Sequence, residues 1–489
     1  MVAPASFFHG NLLTLGFQVL IAMKGLVLLP LVVKTLGVSV YGGYTLLMSV
    51  LGLLFGVSSL GANVRCQRYL PATYDPHQRR RLFWPPLLFQ GLMGLLLGGV
   101  FWVVAPLLVP GDTPRLMFSP GAGTAFLVAI ILFTSTAWYF RDTGQFLRYN
   151  LAAVAHPYLF ILVVLLATRE GSPQVTAGTL LWMETAVLAI LGAGLLWQVL
   201  RQIPGLPVGL QPGALLADIR LGFPLVVVFL IDYLLNVGDR YLILLFLDLS
   251  QVGVYSAAYA VGMVIMFFPK ALAMVLQTLL SRDVDQNRPE HAQQLVQVAV
   301  RLFLLVALPF VAGCWVLGDA VLWHFANAQV AAQGHGVLGV IALGALCYGL
   351  AAIVDNVLFV RLELRALARA TALVAGLNAL GNVVLLALVP HILMPALTTL
   401  GCYLLLLVYV LRVARRHWPL RLSAVWFLAP LPAVGLMSVA LLLARQQWDP
   451  LAGWGTLLLL VGLGVGVYAL TAWITGVARW QHWQALRRL

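Results

Sequence analysis

Charge is scarce in this sequence. Of 489 residues only 9% are Asp, Glu, Lys or Arg, while 62% are hydrophobic; an ordinary soluble domain carries roughly 25% charged residues. A mean hydropathy of +0.97 over the whole chain excludes a soluble protein with a single anchor and puts most of the length in hydrocarbon. Lysine is scarcer still, present only as Lys24, Lys34 and Lys270. The one Lys-Thr pair, Lys34-Thr35, follows Val33 where a P-loop needs Gly, which excludes ATP hydrolysis through that motif. Four scattered cysteines, Cys66, Cys314, Cys347 and Cys402, form no C-x-x-C pair and imply neither a disulfide framework nor a metal site. Nine histidines, among them His156, His324, His335 and His391, show no H-x3-H or H-E-x-x-H grouping. Asp283 and Asp285 form a D-x-D in a short connection, with no nucleotide-binding domain to hold it, so a glycosyltransferase is not indicated. No nucleophile motif is present and no cofactor is expected; the chain reads as a non-enzyme.

What is there is a series of apolar runs separated by Gly, Pro and charge. They predict an all-α polytopic membrane protein with about 14 spans, near 11–36, 42–64, 85–109, 121–140, 149–168, 176–200, 220–247, 251–281, 295–317, 336–361, 367–389, 391–413, 424–445 and 454–478. The start, MVAPASFFHGN, lacks a positive n-region and no A-x-A-like site closes the first apolar stretch, which is expected to remain as the first helix. The net charge of +13 would suggest nucleic acid in a soluble chain; here its distribution is topological. Twenty-two of the 29 cations fall in alternate connections and the tail, including Arg79, Arg80 and Arg81 after Asp75 and His77, while the opposite connections hold only Lys34, Arg115, Arg169 and Arg445. The positive-inside rule then places both termini in the cytoplasm. The triple-arginine cluster reads first as a stop signal and second as a collector of anionic headgroups.

An internal repeat accompanies this alternation. At a constant offset of 211, Leu36, Ser39, Gly42 and Tyr44 match Leu247, Ser250, Gly253 and Tyr255. Each copy links an odd-numbered span to the next and six spans separate them, which makes the repeat parallel, as in transporters with two lobes related about the membrane normal.

The stretches KTLGVSVYGGYTLLMSV and LLNVGDRYLILLFLDLSQVGVYSAAYAVGMVIMFFPKAL resemble the LG-x-x-x-YG-x-Y and DR…VG-x-YS-x-AY patterns of the polysaccharide-transport proteins, the Wzx-type flippases, of the multidrug/oligosaccharidyl-lipid/polysaccharide exporter superfamily. The resemblance implies two six-helix lobes in parallel pseudo-repeat plus two C-terminal helices, here 1–213, 214–423 and 424–489. It also implies a bacterial inner-membrane flippase moving a polyprenyl-pyrophosphate-linked oligosaccharide for surface or exopolysaccharide biosynthesis. Membrane lipids surround such a protein, and a polysaccharide polymerase and glycosyltransferases are its implied partners. Two alternatives stand: a lipid II flippase, and an ion-coupled multidrug exporter of the same superfamily, which should show acids rather than Lys24 in the first span.

Charges inside spans are expensive and normally face a cavity or a partner. Lys24 in the first span and Lys270, directly after Pro269 in the eighth, each read either as a cavity cation or as half of a structural ion pair. Related flippases carry cations in these two helices, so the resemblance implies that both lysines, with Arg240 as a third candidate, bind the pyrophosphate. Asp232, Asn236 and Asp239 or Arg240 share a face of the seventh span; Asp239 fits equally an interhelical network. Glu184 is a candidate for H+ or Na+ coupling, and Asp355 is expected to pair with a loop arginine. Asn378 and Asn382, four apart, are expected to join helices.

Overall fold

The computed structural model describes residues 4–108, 121–169, 175–205, 208–210, 212–361, 363–418 and 428–476. Arg115, Arg421, Arg479, Arg487, Arg488 and the first residues of the thirteenth expected span lie outside them. The described residues are helical throughout, without strands. Helices run in the order α1 (Pro4–Leu36), α2 (Val38–Ser58), α3 (Val64–Tyr69), α4 (Pro76–Leu108), α5 (Ala122–Asp142), α6 (Phe146–Arg169), α7 (Ala177–Gln202), α8 (Pro212–Val237) and α9 (Asp239–Phe246). They continue as α10 (Leu249–Gly262), α11 (Phe267–Asp285), α12 (Pro289–Phe325), α13 (Ala328–Val360), α14 (Leu364–Leu388), α15 (Leu393–His417), α16 (Leu431–Gln447) and α17 (Trp454–Ile474).

Among the described residues, twelve helical stretches are long and apolar enough to cross a membrane. The 33-residue α1 and the 17-residue apolar α16 occupy the places of the first and thirteenth expected spans. Helix ends follow local chemistry. Asp75 accepts from the backbone N–H groups of His77 and Gln78 at the start of α4, with Pro76 in the first helical position. Thr176 and Thr179 form a reciprocal capping box on α7, and Asn327 caps α13 through the Val330 N–H.

Two expected spans are broken. The seventh divides at Gly238 into α8 and α9. The eighth divides at a 3-10 turn, Met263–Met266, one turn before Pro269. Proline has no N–H to give the carbonyl four residues back, so the helix tightens there.

The chain forms two compact units, Met1–Gly253 and Val254–Leu489. In the first, α5 lies along α7, and α6 joins α1 where the Tyr158 hydroxyl donates to the Leu20 carbonyl at 3.0 Å. The seventh span is part of this unit: α8 rests on α2, with the Tyr233 hydroxyl donating to the Ser49 carbonyl at 2.9 Å. The two copies of the repeat also meet here. Gly42 of α2 and Gly253 of α10, equivalent at the offset of 211, pack backbone to backbone. A Cβ on Gly42 would stand 2.8 Å from the Gly253 nitrogen and closer still to the Leu249 carbonyl; such contact of helix backbones requires glycine.

In the second unit, the heavily buried α13 packs on α12 and α15. Helices α16 and α17 close over α12 through Val316, Leu317, Met437, Leu441 and Leu460. Arg445 anchors this pair, reaching Asp319 at 2.6 Å and the Val316 carbonyl. Asn378 donates to Thr399 at 3.0 Å and accepts from Asn382 at 3.1 Å, so the two asparagines do join α14 to α15. Asp283 is buried and accepts from His291 at 2.6 Å, which makes the first acid of the D-x-D a helix-turn staple.

Candidate functional site

The first unit holds a polar cluster inside its membrane helices. Lys24 of α1 donates to Glu184 Oε1 of α7 at 2.8 Å. The Tyr44 hydroxyl of α2 donates to Glu184 Oε2 at 2.6 Å, and His156 Nε2 of α6 lies 3.2 Å from Oε1. Four helices thus converge on one carboxylate. Aromatic rings frame it: Phe160 stacks on Tyr44 with centroids 5.8 Å apart, and the Lys24 ammonium sits 5.6 Å from the Phe160 centroid. His156 and Phe160 are four apart on α6, so one face of that helix supplies both.

The two ends of the ion pair differ in access. The Glu184 side chain is 2% exposed, whereas that of Lys24 is 26% exposed. A buried carboxylate is thereby satisfied by an ammonium and a phenol, with the imidazole 3.2 Å away, while the ammonium keeps an open side. What the arrangement presents on its open side is the ammonium end of a neutral pair.

The sequence assigned Lys24 and Glu184 to different tasks; the structure makes them partners. In the sequence Tyr44 stands out only as a matched position of the repeat, and His156 only as a histidine outside any metal grouping. A histidine just before Pro157 in an otherwise apolar span was the available signal for the second.

The remaining candidates are distributed. Asn236 donates to the Asp232 carbonyl at 2.8 Å and sits 3.3 Å from its carboxylate; Asp232 is exposed and Asp239 buried, so the acids of the seventh span do not share one environment. Arg240 lies within electrostatic reach of Tyr41, Tyr233 and Tyr241. In the second unit, Lys270 is exposed beside a buried Pro269 and makes no ion pair among the described residues. Asp355 does not pair with a loop arginine among them. Its near polar neighbour is the Asn356 amide at 3.5 Å, and Arg361 lies instead over the Trp418 ring, 5.2 Å from its centroid. The cationic cluster is partly engaged by backbone: Arg79 donates to the Thr73 carbonyl and Arg80 to that of Pro204.

Comparison with known proteins places this geometry in context. Residues 8–282 match the family described as Polysaccharide biosynthesis protein, and residues 224–384 match the family described as MatE. No curated protein sequence matches significantly. In fold, the chain is similar to lipid II flippase MurJ in an inward closed conformation, at a TM-score of 0.74 and 15% identity, covering 95% of this chain and 99% of that one. It is also similar to an inward-facing multidrug resistance MATE family transporter of the MOP superfamily, at a TM-score of 0.69 and 12% identity over 82% of this chain and 96% of that one. A MOP superfamily transporter from Pyrococcus furiosus aligns at a TM-score of 0.56 and 11% identity over 83% and 95%.

Proposed function

From the premise that the chain belongs to the polysaccharide biosynthesis protein family, the polysaccharide-transport type of the MOP exporter superfamily, we propose that it translocates a polyprenyl-pyrophosphate-linked oligosaccharide repeat unit across the bacterial inner membrane by alternating access. The observation that carries this reading is the asymmetry of the Lys24–Glu184 pair. An exporter of amphipathic cations needs an accessible carboxylate, and here the carboxylate is covered while the ammonium is open. An ammonium on a flexible stem suits a pyrophosphate, as a point charge that holds and releases it. Lys24, Lys270 and Arg240 each contribute to holding the anion during the cycle. Glu184, with Asp232, Asp239 and Asp355, supplies the acids for H+ or Na+ coupling or for structural networks. Two six-helix lobes, 1–213 and 214–423, with 424–489 as an addition, belong to this reading, and cytoplasmic termini follow from the arginine alternation. A polysaccharide polymerase and glycosyltransferases act on the product and substrate sides.

Lipid II as cargo is the second reading, favoured by the fold similarity to MurJ; it uses the same pyrophosphate chemistry and differs in the glycan. Deletion in the native cell, followed by analysis of lipid-linked glycans, separates the two. Accumulation of a polyprenyl-linked repeat unit on the cytoplasmic leaflet supports the first reading, accumulation of lipid II the second, and accumulation of neither refutes both.

A further inference from the structure

Lys24 has two claims on it. One is the Glu184 carboxylate at 2.8 Å; the other, on the reading above, is the substrate pyrophosphate reaching its open side. We propose that these claims are exclusive, so that Lys24 is exchanged between Glu184 and the anion and each anion bound brings one proton onto the Glu184–His156 pair.

The charge balance requires it. With the pair closed, the ammonium and the carboxylate cancel inside the helices. When the ammonium turns to a phosphate, Glu184 keeps the Tyr44 hydroxyl at 2.6 Å but loses its counterion in a position that is 2% exposed. An unpaired buried carboxylate is strongly disfavoured and takes a proton instead. The proton leaves a hydronium ion or a protonated buffer group in the aqueous phase and ends on the carboxylate oxygen, or on His156, which stands 3.2 Å away and replaces Lys24 as the cation. One O–H or N–H bond breaks in that donor and one forms at the site.

Among the described residues, the cationic partners of Glu184 are Lys24 and His156. Facing Glu184 are Lys24 from α1, Tyr44 from α2 with Tyr41 one turn before it, and His156 from α6. From α5 comes the Phe133 ring, 5.5 Å from the His156 ring, while Tyr139, Arg141 and Asp142 sit at the far end of that helix.

By linkage, an anion whose binding takes up a proton must bind more tightly as pH falls. Calorimetric titration of the full chain in detergent with farnesyl pyrophosphate, in two buffers of different ionisation enthalpy, counts the protons. Wild type should take up about one more proton than Glu184→Gln, and its Kd should weaken up to about tenfold per pH unit between pH 6.5 and 8.5. The variant should bind more tightly than wild type at pH 8.5 and show a correspondingly flatter profile. Infrared difference spectra of wild type alone, which do not depend on the variant's folding, should show loss of a carboxylate band or gain of an imidazolium band on binding. Equal proton uptake in the two proteins, or binding to wild type with neither spectral change, overturns the exchange and leaves the substrate reading intact. Failure of farnesyl pyrophosphate to bind wild type at any pH overturns both.

Discussion

Lys24→Met should destabilise the folded protein more than Glu184→Gln, although each removes the same ion pair. Methionine keeps the unbranched stem and deletes the ammonium, which leaves the 2% exposed Glu184 with Tyr44 and His156 as its polar neighbours. Removing one partner of a buried pair costs about 3–5 kcal/mol, because the other charge stays buried. Here the Tyr44 hydrogen bond persists, and a hydrogen bond to a charged group contributes about 1.5–3 kcal/mol. The expected loss is therefore at the lower end, about 3 kcal/mol. Glu184→Gln orphans an ammonium that is 26% exposed and can swing its flexible stem toward water, so about 1–2 kcal/mol is expected, close to an ordinary buried hydrogen-bond loss. The double variant carries neither charge of the pair and should be less destabilised than Lys24→Met alone, a coupling that additivity would exclude. Unfolding of the purified protein by SDS in mixed micelles, followed by circular dichroism, measures all three. A Lys24→Met loss equal to or smaller than that of Glu184→Gln, or strict additivity in the double variant, would refute the assignment of Glu184 as the buried member.

Two further outcomes follow from packing. Gly42→Ala and Gly253→Ala each force a methyl into the seam where α2 meets α10 and should destabilise by about 1–3 kcal/mol. Gly466→Ala on α17 meets nothing within 4 Å and should be neutral or stabilising, so equal thermal shifts for the three would contradict the seam. Cys66 of α3, outside the membrane spans, has its thiol pushed by burial to about 12, with Asp142 raising it further and Arg141 opposing. At pH 8 only about one molecule in ten thousand then carries the reactive thiolate. In a variant with Cys314, Cys347 and Cys402 replaced by Ala, maleimide should label Cys66 slowly until the protein is unfolded, and the rate should climb with pH; rapid labelling of the folded protein at pH 8 would count against this burial.

Much of the fold was legible because it rests on local, one-dimensional physics. A helix in hydrocarbon must satisfy its own backbone and present about 20 apolar residues, and that requirement is visible in a window of sequence. Hence the spans near 176–200 and 391–413 could be placed before any packing was known, and α7 and α15 occupy them. The breaks were partly legible. Pro269 announced a disturbance, and its missing N–H placed the 3-10 turn one turn upstream at Met263–Met266. At 238, however, Gly alone did not distinguish a break from a tolerated helical residue.

The repeat shows where legibility ended. Matching Gly42 to Gly253 required only an offset, but nothing in the offset said that the two glycines would touch. Lys24 illustrates the same limit more sharply. Sequence alone determined that an ammonium in an apolar span must have a partner or a cavity, since the bilayer excludes it otherwise. Which acid it meets was decided by α1, α2, α6 and α7 packing together, 160 residues of chain apart. Propensity and hydropathy are set by neighbours within a turn or two, whereas an ion pair across the unit depends on helix rotation and contact, which only the tertiary structure supplies. It was the same packing that covered Glu184, opened one side of Lys24 and brought in Tyr44 and His156, turning two isolated charges into a site with a sign.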